Sequence, residues 1–310
     1  MIEFCGLRLA HPIINGSGTF DAIAARRAFG DALLADFPFS AFVSKTITLQ
    51  ARTGNPPPRL WEAQAGMINS IGLPNRGLDG YLEHDLPQLA QLPVPLVTNV
   101  MGSTEDEVAR LVEAVDARAE VAAIELNVSC PNVKTGLDIG ADPVSLAALV
   151  RAVRPLTRKP LIVKLTPNTA DVAAVAQAAE SEGADAVSLI NTLRAMALDR
   201  RRGGLWLGGG TGGLSGPAVR SVALAQVAAV ARRVAIAVVG MGGVAHGGHA
   251  NDLISVGARL VAIGTENFRD PCAGTRIASE LKSLQIERSP STTMNESEPR
   301  PEVDVNCADS

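Results

Sequence analysis

Eight short apolar runs, each bounded by Gly, Pro, Asn or Ser, constrain the fold of this chain more than any other feature. They occupy residues 13–17, 41–45, 96–101, 122–128, 161–165, 186–191, 236–240 and 260–264. Runs this short suit strands buried on both faces, as in a parallel sheet. The segments between them carry helix signals. Thr104-Glu105-Asp106-Glu107 forms a capping box ahead of an apolar face at Val108, Leu111, Val112 and Val115. Asp142-Pro143 supplies an N-cap and an N1 proline before Leu146, Leu149, Val150 and Val153. Val172, Val175, Ala176 and Ala179 form a further stripe that Gly183 stops. Eight strand–helix units predict an α/β chain folded as a (β/α)8 barrel. An open doubly wound sheet is the runner-up, needing the same alternation without closure.

Around this frame the sequence predicts three additions. The first eight residues read as a strand or hairpin that closes the barrel bottom. Residues 46–95 read as a long irregular insertion after the second strand, of a length that is usually functional. From about Ile286 the composition turns to Glu, Ser, Pro, Thr and Asn without apolar period. The expected organisation is therefore one barrel domain over 1–285 and a disordered tail over 286–310.

Composition narrows the class. Hydrophobic residues make up 46% of the 310 and aromatics 3%, so the core must be aliphatic and rich in alanine. A formal charge of −4 argues against a nucleic-acid partner. The four cysteines lie far apart without a CxxC pair, which suggests neither a disulfide framework nor a zinc site. The start MIEFCGLRL lacks a basic segment followed by a long apolar one, and the least charged stretches, 203–219 and 234–251, are broken by glycines. A cytoplasmic protein with no membrane span is expected.

In barrels of this kind the chemistry sits at the C-terminal strand ends and the loops just after. Those positions here hold Ser17, Lys45-Thr46, Asn99, Asn127 with Cys130, Lys164, Asn191-Thr192, Gly242-Gly243 and Gly264-Thr265. The glycine turns after the last two strands suit a phosphate held by backbone amides, against the blander reading of tight turns. Cys130 stands just past a strand end between Asn127 and Asn132, where a thiol can act as base or nucleophile. Its reference pKa of about 8.5 suits removal of a weakly acidic carbon-bound proton. Cys5, in the bottom hairpin, reads as packing. Lys45 and Lys164 end apolar runs and call for an anion that the other strand ends do not supply, so the anion is expected in a ligand. The four histidines are scattered, and no metal site is expected.

Together these residues resemble the cysteine-using class 1 dihydroorotate dehydrogenases over residues 3–284. The resemblance rests on Asn127-Val128-Ser129-Cys130-Pro131-Asn132, Gly66-Met67-Ile68-Asn69-Ser70-Ile71-Gly72-Leu73 and Gly54-Asn55-Pro56-Pro57-Pro58-Arg59. Gly213-Leu214-Ser215-Gly216-Pro217 and Gly240-Met241-Gly242-Gly243-Val244 complete it, all five in order. It implies FMN at the barrel top and oxidation of dihydroorotate to orotate in pyrimidine synthesis. Cys130 would take the C5 proton while the C6 hydride passes to flavin N5. Lys45 would lie between flavin and substrate. Asn69, Ser70, Ile71, Gly72, Leu73, Asn127, Asn132, Asn191 and Thr192 would bind substrate. Ser17, Thr46, Asn99, Asn127 and Ile190 would contact the flavin, and Lys164 would face its N1/O2 edge. Gly216, Gly242, Gly243, Gly264 and Thr265 would hold the phosphate end.

Asn191-Thr192-Leu193, Lys164-Leu165-Thr166-Pro167-Asn168 and Gly213 to Pro217 resemble the NAD-linked subclass, whose iron–sulfur cluster and FAD reside on a partner subunit. Pro74 resembles the fumarate-linked homodimeric subclass, and Glu266 departs from the small residue usual after the Gly-Thr pair. A homodimer is implied, alone or within a heterotetramer. Rival readings are another flavin barrel reductase of dihydropyrimidine type and a non-redox phosphate-binding lyase or isomerase.

Overall fold

Parallel pairing decides between the two architectures. The computed structural model describes residues 1–128, 139–201 and 203–287. After an antiparallel hairpin of β1 (Ile2–Phe4) and β2 (Leu7–Leu9) come β3 (Ile13–Asn15), β4 (Phe42–Val43), β5 (Leu60–Ala63), β6 (Gly66–Asn69), β7 (Leu96–Val100) and β8 (Val121–Asn127). They are followed by β9 (Leu161–Lys164), β10 (Ala186–Leu189), β11 (Leu193–Ala195), β12 (Gly212–Ser215), β13 (Ala237–Met241) and β14 (Leu260–Ile263). Eight of these form one parallel sheet in the order β3-β14-β13-β10-β9-β8-β7-β4, each predicted run supplying one strand.

The sheet closes between β3 and β4 through a side chain. Asn15 Nδ2 donates to Val43 O at 2.8 Å, and Val43 N–H donates to Asn15 Oδ1 at 2.8 Å. Ser40 N–H adds a bond to Ile13 O at 3.0 Å. The chain is therefore a barrel and not an open sheet. Asn15→Ala would strand a buried N–H and C=O at this seam, since Asn15 is wholly buried. A loss of about 3 kcal/mol in urea denaturation is expected.

Two apolar layers result. Ala41, Val43, Val97, Ala123, Ile162, Ala186, Val239 and Ala262 fill the barrel interior, with Phe4 and Leu9 of the hairpin packed against it. The hairpin thus plugs the bottom as expected. Burial pushes the Cys5 thiol up to about 11, with Asp185 adding to the effect, so it is inert at neutral pH. The outer layer joins sheet to helices. The helix Glu105–Asp116 buries Val108, Leu111, Val112 and Val115. Thr104 Oγ1 accepts from Glu107 N–H at 3.2 Å, while the Glu107 carboxylate accepts from Ser103 N–H at 2.6 Å, one residue beyond the expected cap. Pro143–Val153 and Val172–Ser181 bury their predicted stripes behind Asp142 and Asp171 caps.

The insertion is not irregular. Residues 60–69 form the β5–β6 hairpin, and residues 77–89 are helical. β6 pairs with β12, and β12 with β11, giving a four-stranded antiparallel sheet in the order β11-β12-β6-β5. The final helix runs Ala273–Glu287, so Ile286 and Glu287 belong to it and not to a tail. Residues 288–310 lie outside the described residues, as do Cys130 and Asn132. Among the described residues no helix is long and apolar enough to cross a membrane.

Candidate active site

The C-terminal ends of the barrel strands and the four-stranded sheet enclose a cavity of about 420 Å³, within the range of small-molecule sites. Ser17, Lys45, Thr46, Asn127, Lys164, Ile190, Asn191 and Thr192 line its barrel side. Asn69, Ile71 and Leu73 line it from the insertion, and Gly216, Gly242, Gly243, Gly264 and Thr265 line its far end. A larger groove of about 960 Å³ adjoins it and shares Gly18, Thr19, Lys45, Thr46 and Phe268. That groove lacks Lys164, Asn127 and the glycine turns, so the smaller cavity is the candidate site.

Three expected contacts do not line the cavity. Asn99 is wholly buried, with its Nδ2 donating to Glu125 Oε2. Ser70 is also buried, and its hydroxyl accepts from Asn55 Nδ2 at 3.0 Å. Gly72, at φ 76°, turns the same loop against Asn55. Ser70 and Gly72 therefore shape the loop that presents Ile71 and Leu73. Leu73 itself sits at φ 53°, a left-handed conformation that costs a non-glycine residue about 1–2 kcal/mol.

Residues that the sequence reading did not single out complete the lining. Met67, Leu214 and Ser215 reach the cavity from β6 and β12. Ser215 Oγ accepts from Thr265 Oγ1 at 2.9 Å, tying the antiparallel sheet to the end of β14. Met67 lies within the quoted Gly66–Leu73 motif, which was the available signal. Phe268, 61% exposed, marks the rim.

Electrostatically the cavity is simple. Lys45 and Lys164 are the only charged groups among its described lining residues. Lys164 is 6% exposed, and its ammonium has no hydrogen bond or ion pair among the described residues. Thr46 Oγ1 accepts from Asn127 Nδ2 at 3.3 Å, and Ser17 Oγ donates to Ser44 O at 2.8 Å. Thr192 N–H donates to Asn191 Oδ1 at 2.8 Å, while Thr192 O accepts from Asn168 Nδ2 at 3.0 Å.

The glycine end is a cradle. Gly216 and Gly243 sit at φ 88° and 69°. A Cβ on Gly242 would meet Ala223 Cβ at 2.6 Å, and one on Gly243 would meet Gly216 O at 2.9 Å. Bare backbone amides at this corner suit a phosphate. Glu266, the departure, points elsewhere: its carboxylate accepts from Arg276 at 3.1 Å. Arg276 also pairs with Asp270 and Glu280 and donates to Ala245 O at 3.0 Å, so it braces the outer side of the turn.

His249 holds the same turn from behind. Its Nδ1 accepts from Ala245 N–H at 3.3 Å, and its ring lies 3.5 Å from that of His246. Burial first, then the Arg220 and His246 charges, push its pKa below the usual histidine value. His11 Nδ1 likewise accepts from Ile13 N–H at 3.3 Å, and burial lowers its pKa. A lowered folded-state pKa means the unfolded chain takes the proton first. The stability these rings confer is thus full above about pH 6.5 and lost as the pH falls through the folded-state values. The urea midpoint should drop between about pH 7 and about pH 5, and drop less in H11N/H249N.

The fold and cavity together define a (β/α)8-barrel enzyme whose cavity sets two lysines and a glycine-rich corner at the C-terminal strand ends. The chain matches the family model described as dihydroorotate dehydrogenase over residues 1–284, and it belongs to that family. It is 43% identical over 291 residues to a Desulforudis audaxviator protein, covering 93% of this chain and 92% of that one. A Bacillus pumilus protein is also 43% identical, over 91% of this chain and 90% of its own length. Both carry the name dihydroorotate dehydrogenase B (NAD(+)), catalytic subunit. A crystal structure of the Eimeria tenella dihydroorotate dehydrogenase with ferulenol superposes with TM-score 0.75, covering 92% of this chain and 84% of that one. At 21% identity that likeness speaks to the fold.

Proposed function

We propose that this chain is the FMN-bearing catalytic subunit of an NAD-linked dihydroorotate dehydrogenase, oxidising (S)-dihydroorotate to orotate in pyrimidine synthesis. The observation that carries the reading is the cavity's charge pattern: two lysines as its only described charges, facing a glycine cradle at the ends of β13 and β14. The residues fit FMN. The cradle at Gly216, Gly242, Gly243, Gly264 and Thr265 suits its phosphate, and the apolar Met241, Leu214 and Ile190 suit a planar ring. When bound, FMN supplies the acceptor for the hydride that leaves C6.

The chain's own groups are assigned the rest. Cys130 takes the C5 proton, and Asn132 with Asn127, Asn191 and Thr192 orients the substrate's polar edge. Lys45, exposed at the mouth, offers a cation to the substrate carboxylate or the space between the two ligands. Lys164 places its positive charge against the floor-facing edge of the cofactor. Asn69 and the Ile71–Leu73 loop close the cavity over the substrate and exclude water.

Electrons leave through a partner subunit that carries an iron–sulfur cluster and FAD, as the relatives' designation as catalytic subunits supports. A homodimer of barrels at the centre of that assembly, in the cytoplasm, completes the proposal. Turnover of dihydroorotate with an artificial acceptor, followed by orotate absorbance, tests the reaction. Adding the partner subunit should then confer NAD reduction. Equal activity with fumarate and no partner would place the chain in the other subclass.

A further inference from the structure

Beneath the cavity floor lies a carboxylate that no assigned role uses. Glu125, on β8, is 4% exposed and faces the barrel interior. Its Oε1 accepts from Ser188 Oγ at 2.7 Å, and its Oε2 accepts from Asn99 Nδ2. It thus reaches Asn99 on the adjacent β7 and, across β9, Ser188 on β10. Glu125 and Lys164 are the only Asp, Glu, Lys, Arg or His side chains among the described residues that are buried. They carry opposite charge and occupy neighbouring strands: Asn127, two residues after Glu125, pairs in register with Lys164, and Lys164 pairs with Ser188.

A buried carboxylate held by two neutral donors is costly unless an opposite charge lies nearby. A buried ammonium without a bonded partner is costly for the same reason. Inside the one barrel each is the opposite formal charge on the neighbouring strand. Because an ionised carboxylate only accepts, Glu125 also fixes the Asn99 amide with its N–H₂ toward the carboxylate. Asn99 Oδ1 is left buried without a partner among the described residues.

We propose that Glu125 is a positioning residue that acts through Lys164, Asn99 and Ser188, setting a compensated charge pair under the cofactor. In this pair Lys164 favours added negative charge in the cavity and Glu125 restrains it, so that oxidised and reduced ligand are held with balanced affinity. The inference rests on the reading that the cavity holds FMN.

The test is the midpoint potential of bound FMN, measured in a redox titration beside the affinity for oxidised FMN and the Tm. Glu125→Gln keeps the volume but removes the charge; its amide oxygen can still accept from Asn99 Nδ2, while its NH2 donates to the Ser188 hydroxyl and so reverses that bond. It should favour reduced over oxidised FMN by about tenfold, a rise of about 30 mV for a two-electron couple. Glu125→Asp should stay near wild type. Lys164→Met should move the potential down, and E125Q/K164M should lie between the single variants. An E125Q potential equal to wild type, with only the Tm lowered, would leave Glu125 a structural residue and overturn the proposal. A downward shift in E125Q would overturn it also. Failure of the wild-type chain to take up FMN would instead remove the cofactor reading on which it rests, and the proposal with it.

Discussion

Cys130→Ala is expected to slow reduction of the FMN-loaded protein by dihydroorotate by about 10²–10⁴-fold, the usual contribution of a positioned general base. In sequence Cys130 follows the end of β8 at Asn127 by three residues, and barrel enzymes carry their chemistry just after strand ends. FMN affinity should be unchanged, because the phosphate cradle and the two lysines belong to other strands. Cys130→Ser should retain part of the rate and recover as pH rises, since a hydroxyl is the weaker base at neutral pH. Stopped-flow measurement of flavin absorbance separates this step from acceptor turnover. A normal reduction rate in both variants would remove Cys130 from the mechanism.

Gly243→Ala is expected to weaken FMN binding by about 100-fold, the equivalent of about one charge-assisted hydrogen bond at the upper end of its usual range. The residue sits at φ 69°, and a Cβ there would lie 2.8 Å from Arg220 Cβ and 2.9 Å from Gly216 O. Neither neighbour can yield: one is backbone, and the other is the root of a side chain whose guanidinium is paired with Asp252. The turn must therefore shift, and its amides lose their aim. Gly203→Ala is the control. It too has positive φ, at 74°, but open space around it. It should cost stability of about 1 kcal/mol and leave FMN affinity alone. Fluorescence quenching of added FMN measures both.

The barrel was legible because its strands are buried on both faces and so appear as continuous apolar runs, such as Leu161-Ile162-Val163. The cradle was legible because only glycine tolerates the backbone at Gly216 and Gly243. The β11–β12 pair was not. Gly212-Gly213-Leu214-Ser215 has little strand propensity, and it becomes a strand through its pairing with Met67, Ile68 and Asn69. Closure by Asn15 was equally hidden, since a side chain there does the work of a backbone ladder. Glu125 escaped notice because a single carboxylate in an apolar run carries no periodic signal, and its partners Asn99 and Ser188 are distant in sequence. Asn99 stands at a C-terminal strand end and so reads as a contact residue, although its side chain is wholly buried.

Anaerobic titration of the FMN-loaded protein with dihydroorotate decides whether the cavity oxidises this substrate. Bleaching of the flavin absorbance to completion near one equivalent of substrate, with orotate as product, is expected. A flavin that stays bound and oxidised through excess dihydroorotate would contradict the proposed function.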